Sequence, residues 1–280
     1  MNVMNVLIPT DFSDNSWNAI EYAISLLKEE RVTFHLLHVN NTTSTEMGPE
    51  IQGSGTLLAT QDKITVTIQL QELKNRILTQ YYFNEHSYKT SIEYTSFIKG
   101  VRTQITKNEI DLIIMGTKGA SGIKKYTLGS NAGDVITKVK CPVLVIPENS
   151  QFEEPKHIAF PTDFNLLYKE RIVKTLKSVT QLHHSFLHVV HVKGKNVLLT
   201  EAQEKNKIFL KDSLEEIQHK FYTCNTSDLE EAIQKFVEKK QINIIAMVAK
   251  NLNFFQRILF RPTVKKMSYQ TEVPFLVLHE

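Results

Sequence analysis

The chain has 280 residues, 41% hydrophobic and 22% charged, with a net charge of +3, so it reads as an ordinary globular protein long enough for two domains. So small a charge excludes a strong footprint for nucleic acid, and two cysteines exclude a disulfide framework and fit a reducing compartment. The opening MNVMNVLIPTD has no basic segment and its apolar run ends at Pro9, too soon for a leader or a membrane span, so a cytoplasmic location without stable membrane association is expected.

The run NVLI before Pro9 predicts a strand, and Trp17, Ile20, Ala23, Ile24 and Leu27 predict a helix with one apolar face. FHLLHV predicts a second strand. It carries His35 and His38, which point to opposite faces of a strand and so share a metal ion poorly; no metal site is expected. Residues 41–61, rich in Thr, Ser and Gly, read as a mobile loop. The GSGTLLA within it follows no strand and lacks the third glycine of a dinucleotide fingerprint. ITVTIQL at 64–70 alternates like a strand, yet Val66, Leu70, Leu73, Ile77 and Tyr81 continue one stripe, so a helix is predicted. DLIIM and PVLVI, before and after a helical pattern of Ala132, Val135, Ile136 and Val139, predict strands buried on both faces.

Between DLIIM and that helix lies MGTKGASGIKKYTLGSN, residues 115–131, with four of the ten glycines. In a parallel α/β sheet, ligands sit beyond the carboxyl ends of the strands, where the strand order reverses. Pro9, Thr10 and Asp11 end one strand and Gly116 ends another. Gly129 and Ser130 precede a helix whose N-terminal N–H groups and dipole form a ready anion site, with Lys118, Lys124 and Lys125 nearby. Turn chemistry alone would also place glycines in such a loop. No GxxxxGK[ST] is present, which excludes a Walker-type loop.

The chain repeats itself. LIPTDFSDNS at 7–16 is echoed by AFPTDFNLLY at 159–168, FHLLHVN by LHVVHVK, and DLIIMGTKGA by NIIAMVAKNL, the last in a gapless run ending in CPVLVIPE and VPFLVLHE. Each copy reads βαβαβαβαβ, and the expected fold is α/β: two tandem domains, each a five-stranded parallel sheet sandwiched by helices. The expected bounds are 1–148, a linker at 149–155, and 156–280.

Gly116, Gly119, Gly129 and Ser130 are spaced as Gly, two residues, Gly, nine residues, Gly, Ser, between a strand and a helix. With PTDFS after the first strand and LHV in the second, the chain resembles the universal stress proteins in their nucleotide-binding form. The resemblance covers nearly the whole chain as a tandem pair. It implies an adenine nucleotide alpha hydrolase-like, Rossmann-like fold, with the copies forming an intramolecular pseudo-dimer through VLVIP and FLVLH, open to further homo-dimer formation. It implies that Pro9, Thr10 and Asp11 line the adenine and ribose end, with Val39 offering backbone contacts to the base. Met115, Gly116 and Gly119 would line the ribose and phosphate path beside Lys118, and Gly129, Ser130 and Asn131 would hold the distal phosphates. The ligand implied is ATP or AMP, with or without Mg²⁺, serving a stress response or signalling. Asp11 and Asp134 are the carboxylates at hand, but no residue stands out as a base or water-positioner; at most slow ATP hydrolysis is expected. The alternatives are a slow ATPase or nucleotide switch, and a ligand-free interaction scaffold.

In the second copy the signature positions hold Val248, Asn251, Arg261 and Pro262. Losing two charge-assisted hydrogen bonds there would weaken phosphate binding on the order of 10²–10⁴-fold, so this copy is expected to be structural. NLNFFQRILFRPTVKK is expected to pack into or over the vacated cavity. Its alternatives are a different anion at Arg257 and Arg261, or a basic, Phe-rich contact with a membrane surface. Asp163, the counterpart of Asp11, is expected as a cap or turn residue.

Overall fold

Apolar runs of four to six residues form the central strands, as their length and β-branched content require. The computed structural model describes residues 3–40, 54–117, 129–194, 197–226, 228–249 and 272–279. They fall into two compact units that divide between Cys141 and Pro142. In the first unit, β1 (Met4–Pro9), β2 (Val32–Asn40), β3 (His86–Tyr94) and β4 (Leu112–Gly116) form a parallel sheet ordered β3-β2-β1-β4. The helices are α1 (Asp14–Leu26), α2 (Ser54–Gln80), α3 (Phe97–Asn108) and α4 (Ser130–Lys138).

Strand order steps one way from β1 to β3, then returns to place β4 on the other side of β1. Right-handed crossovers therefore put α1 and α2 on one face and α3 on the other. The reversal leaves a crevice between the ends of β1 and β4, which are paired in register at Val6 with Leu112 and Leu7 with Ile113. Val6, Leu7, Ile8, Phe34, Leu36, Ile113 and Ile114 form the centre of this unit's core.

The second unit holds β5 (Val143–Ile146), β6 (His157–Pro161), β7 (Phe186–Lys193), β8 (His219–Asn225), β9 (Ile244–Val248) and β10 (Phe275–Leu278). Its helices are α5 (Glu170–Leu182), α6 (Glu201–Ser213) and α7 (Leu229–Lys240). The sheet runs β8-β7-β6-β9-β10 in parallel, and β5 pairs with β10 antiparallel, Leu144 opposite Leu276. The repeat extends to detail. α3 and α7 both end on a non-glycine residue in the left-handed region, Glu109 at φ 48° and Gln241 at φ 50°.

Residues 64–70 are helical, as the stripe predicts: Val66, Leu70 and Ile77 are buried while Ile64 and Ile68 face outward. The loop expected over 41–61 is shorter than the sequence indicates, because α2 already begins at Ser54. Leu57, Leu58, Ala59 and Gln61 are good helix formers that outweigh the neighbouring threonines; residues 41–53 lie outside the described residues. No helix among the described residues is long and apolar enough to cross a membrane.

Candidate functional site

β1 ends at Pro9, which has no N–H to continue a ladder, and the chain turns sharply over the next four residues. Phe12 sits at φ 64°, a left-handed conformation uncommon for a side-chain-bearing residue. Three contacts hold it there. The Phe12 amide donates to Thr10 Oγ1 at 3.1 Å, the Phe12 ring stacks on His38 at 4.8 Å, and His38 Nδ1 donates to the Thr10 carbonyl at 2.9 Å. Since a carbonyl only accepts, Nδ1 must carry the ring proton.

Asp11 closes the turn. Its Oδ1 accepts from the Ser13 hydroxyl at 2.6 Å and the Ser13 amide at 3.1 Å. Ser13 in turn caps α1, its hydroxyl accepting from the Ser16 amide at 3.2 Å. Ser16 Oγ donates to the Ser13 carbonyl at 2.8 Å, so the proton it shares with Thr10 Oγ1 at 3.0 Å belongs to Thr10. The hydroxyls of this turn are thus mutually satisfied.

The opposite wall comes from β4 and α4. The Gly129 amide donates to the Thr117 carbonyl at 2.7 Å, tying together the two ends of the segment 118–128. Gly129 is the N-cap of α4, and among the described residues no side chain caps that end. Peptide N–H groups of the first helical turn are therefore directed out of the helix end with its positive dipole.

Between these walls lies a cavity of about 120 Å³. Pro9, Thr10, Asp11, Val39, Met115, Gly116, Gly129, Ser130 and Asn131 all line it, brought together from four separate stretches of chain. Lys118 and Gly119 lie outside the described residues, as do Lys124 and Lys125. Ser16, His38, Phe97, Thr117 and Ala132 also line the cavity, and the sequence reading assigned them no role in the site. Of these, His38 could have been found from its recurrence as His191, whereas Phe97 has no local signal because it opens a helix far from the glycine loop.

Gly116 has a cause inside the protein. A Cβ at that position would sit 2.9 Å from the carboxamide carbon, nitrogen and oxygen of Asn15, closer than real Cβ contacts allow. A side chain at 116 would force the Asn15 carboxamide to move, so the first glycine of the pattern has a packing cause of its own.

The second unit repeats the turn with different side chains around it. Phe164 sits at φ 56°, its amide donates to Thr162 Oγ1 at 2.9 Å, and His191 Nδ1 donates to the Thr162 carbonyl at 2.9 Å. Asp163 Oδ1 accepts from the Asn165 amide at 2.9 Å, making it a turn residue. Where Ser16 meets Thr10, however, the Tyr168 hydroxyl meets Thr162 Oγ1. Tyr168 is 2% exposed, and burial pushes its hydroxyl pKa up to about 12. Gln203 and Asn206 on α6 donate to the carbonyls of Asp163 and Phe164 at 2.8 Å each. Val248 stands in the place of Gly116; Asn251, Arg257, Arg261, Pro262 and the rest of NLNFFQRILFRPTVKK lie outside the described residues.

The paired histidines of each copy divide their work. His35 Nε2 donates to Asn5 Oδ1 at 3.3 Å on one face of β2, while His38 locks the turn at the other. The counterpart of His35, His188, shares a 3.2 Å hydrogen bond with His157 Nδ1.

A cavity at the strand-order reversal of a parallel sheet places the first unit in the doubly wound α/β class. Residues 2–147 match the model of the universal stress protein family, and the chain belongs to that family. It is 31% identical over 146 residues to a universal stress protein of Methanocaldococcus jannaschii, spanning 50% of this chain and 80% of that one. It is 26% identical over 147 residues to a universal stress protein of Bacillus subtilis, covering 50% and 97%. A universal stress protein structure from Archaeoglobus fulgidus superposes with a TM-score of 0.67 at 17% identity, over 98% of both chains; this shows the fold alone.

Proposed function

We propose that this universal stress-type protein binds an adenine nucleotide, ATP or AMP, in the cavity of its first unit, and acts in stress response or signalling. The observation that carries the reading is the convergence of Asp11, Val39, Gly116 and Gly129 to Asn131 on one cavity that the N-terminal end of α4 borders. That helix end is where phosphate oxygens would accept N–H bonds, with the Ser130 hydroxyl as a further donor. The cavity is smaller than the roughly 300–1,000 Å³ of sites that engulf a drug-sized ligand, so the nucleotide would lie with part of its surface exposed.

Asp11 is the one carboxylate among the described lining residues, and its Oδ1 is engaged by Ser13. This favours binding over hydrolysis, since phosphoryl transfer needs a group to place the attacking water. Mg²⁺, if bound, would be held chiefly by the phosphates themselves. The second unit serves as a structural partner in this reading, supported by Tyr168 on the counterpart of the Ser16 position. The antiparallel pairing of β5 with β10 supports the pseudo-dimeric association of the two repeats.

Calorimetric titration with ATP and AMP tests the proposal. Wild type is expected to bind one nucleotide per chain. Gly129→Val, which adds a branched side chain at the helix end, is expected to reduce affinity by about tenfold or more. Absence of binding by wild type would leave the scaffold reading in its place.

A further inference from the structure

The face that α3 turns to the sheet carries Phe97, Gly100, Val101 and Gln104, spaced i, i+3, i+4 and i+7. Gly100, Val101 and Gln104 are buried, whereas Phe97 is half-buried and lines the cavity. Among the described residues no aromatic ring pairs with it.

Gly100 sets the height of that ring. A Cβ there would lie 3.0 Å from Val39 Cγ2 and 3.1 Å from Glu93 Cβ, so glycine lets the first turn of α3 close on the end of β2. Phe97 and Val39 thereby border the same part of the cavity, the part where the nucleotide reading puts the base. The second repeat supplies a comparison. α7 is the same helix one copy later, with the same twelve-residue length, and it opens with Leu229 and carries Ala232 where α3 has Phe97 and Gly100. The aromatic ring and the glycine occur together in the first repeat, and neither occurs at these places in the second.

We infer that Phe97 stacks on the base of the bound nucleotide and makes this end of the cavity selective for a flat aromatic heterocycle. The inference rests on the nucleotide reading of the same cavity. A ring of this kind offers a π-face to any purine, so it sets the class of ligand, and the polar groups near Thr10 and Val39 are left to orient it.

The test compares wild type, Phe97→Leu and Phe97→Tyr in titrations with ATP and with inorganic tripolyphosphate, with melting temperatures to confirm folding. Leu is the residue the second repeat carries at this place, so loss of fold is not expected. Stacking on an aromatic side chain is worth about 5- to 100-fold in affinity. Phe97→Leu should lose that much for ATP and nothing for tripolyphosphate, while Phe97→Tyr should stay within about threefold of wild type for ATP. The inference is overturned if Phe97→Leu binds ATP like wild type, or if it loses tripolyphosphate in step with ATP, since the ring would then serve packing alone. Wild type that binds both ligands equally defeats the stacking while leaving an anion site. Wild type that binds neither defeats the nucleotide reading itself.

Discussion

Asn15 and Gly116 show how a single side chain constrains the site without lining it. The carboxamide lies against Cα of Gly116, and any Cβ added there meets it at 2.9 Å. In the second repeat the sequence counterparts are Leu167, which precedes α5 and is 62% exposed, and the buried Val248. The carboxamide and the glycine that it packs against are both absent from these positions of the second repeat. Gly116→Ala is accordingly expected to destabilise the first unit by about 1–3 kcal/mol, and to cost almost nothing further once Asn15 is alanine. A thermal-melting cycle over the four variants measures this coupling, and additive losses would show that the two residues act separately. Glycine at 116 was legible in the sequence as a sign of close approach. What it approaches was not, because Asn15 lies a hundred residues earlier and carries no pattern of its own.

At the level of elements, the strands that the sequence marked most plainly are the central ones, where both faces are covered and the run is wholly apolar. β3 and β8 are half-buried or exposed along almost all of their length, so neither yields an apolar run, and only the count per repeat called for a third strand. The paired histidines were legible in their opposite directions, but their partners on β1 and β6 required the sheet register.

One of those partnerships carries a pH dependence. His188 on β7 is 4% exposed and packs against His157 on β6, Tyr222 on β8 and Phe236 on α7, with Lys240 of α7 and Lys220 of β8 near the Tyr222 ring. Burial, then the charges of His157 and Lys240, lower its pKa from 6.5 to about 4. Below pH 6.5 the unfolded chain therefore binds a proton that the folded chain does not. Stability of the second unit is full above that pH and declines as pH falls toward 4. His35 in the first unit shifts in the same direction, by burial and then Lys89. Amide exchange in β7 and β8 should accelerate, after correction for intrinsic rates, between pH 7.5 and 5, and His188→Gln should flatten the trend. Exchange in these strands that keeps its protection across that range would show that burial of the ring is relieved locally.

For the molecule as a whole, the repeat was readable because PTDF, LHV and the last apolar strand recur in the same order, and the first two recurrences have a physical counterpart in the turns at Phe12 and Phe164. What distinguishes the halves was readable only in part. The loss of glycines at Val248 and Pro262 is plain in the letters, whereas Tyr168 in the place of Ser16 is an unremarkable change until both hydroxyls are seen to meet the same threonine.

β5 carries a practical consequence for anyone who divides this chain at the seam the repeats mark. Its four residues precede residues 149–155, yet they lie in the second unit and form the antiparallel neighbour of β10. A fragment spanning 156–280 would leave Phe275 to Leu278 with an unpaired edge of main-chain amides and carbonyls on a wholly apolar strand, a template for self-association. Sedimentation of that fragment should reveal dimers or larger species, and a monomer at high concentration would show that the bare edge of β10 is tolerated.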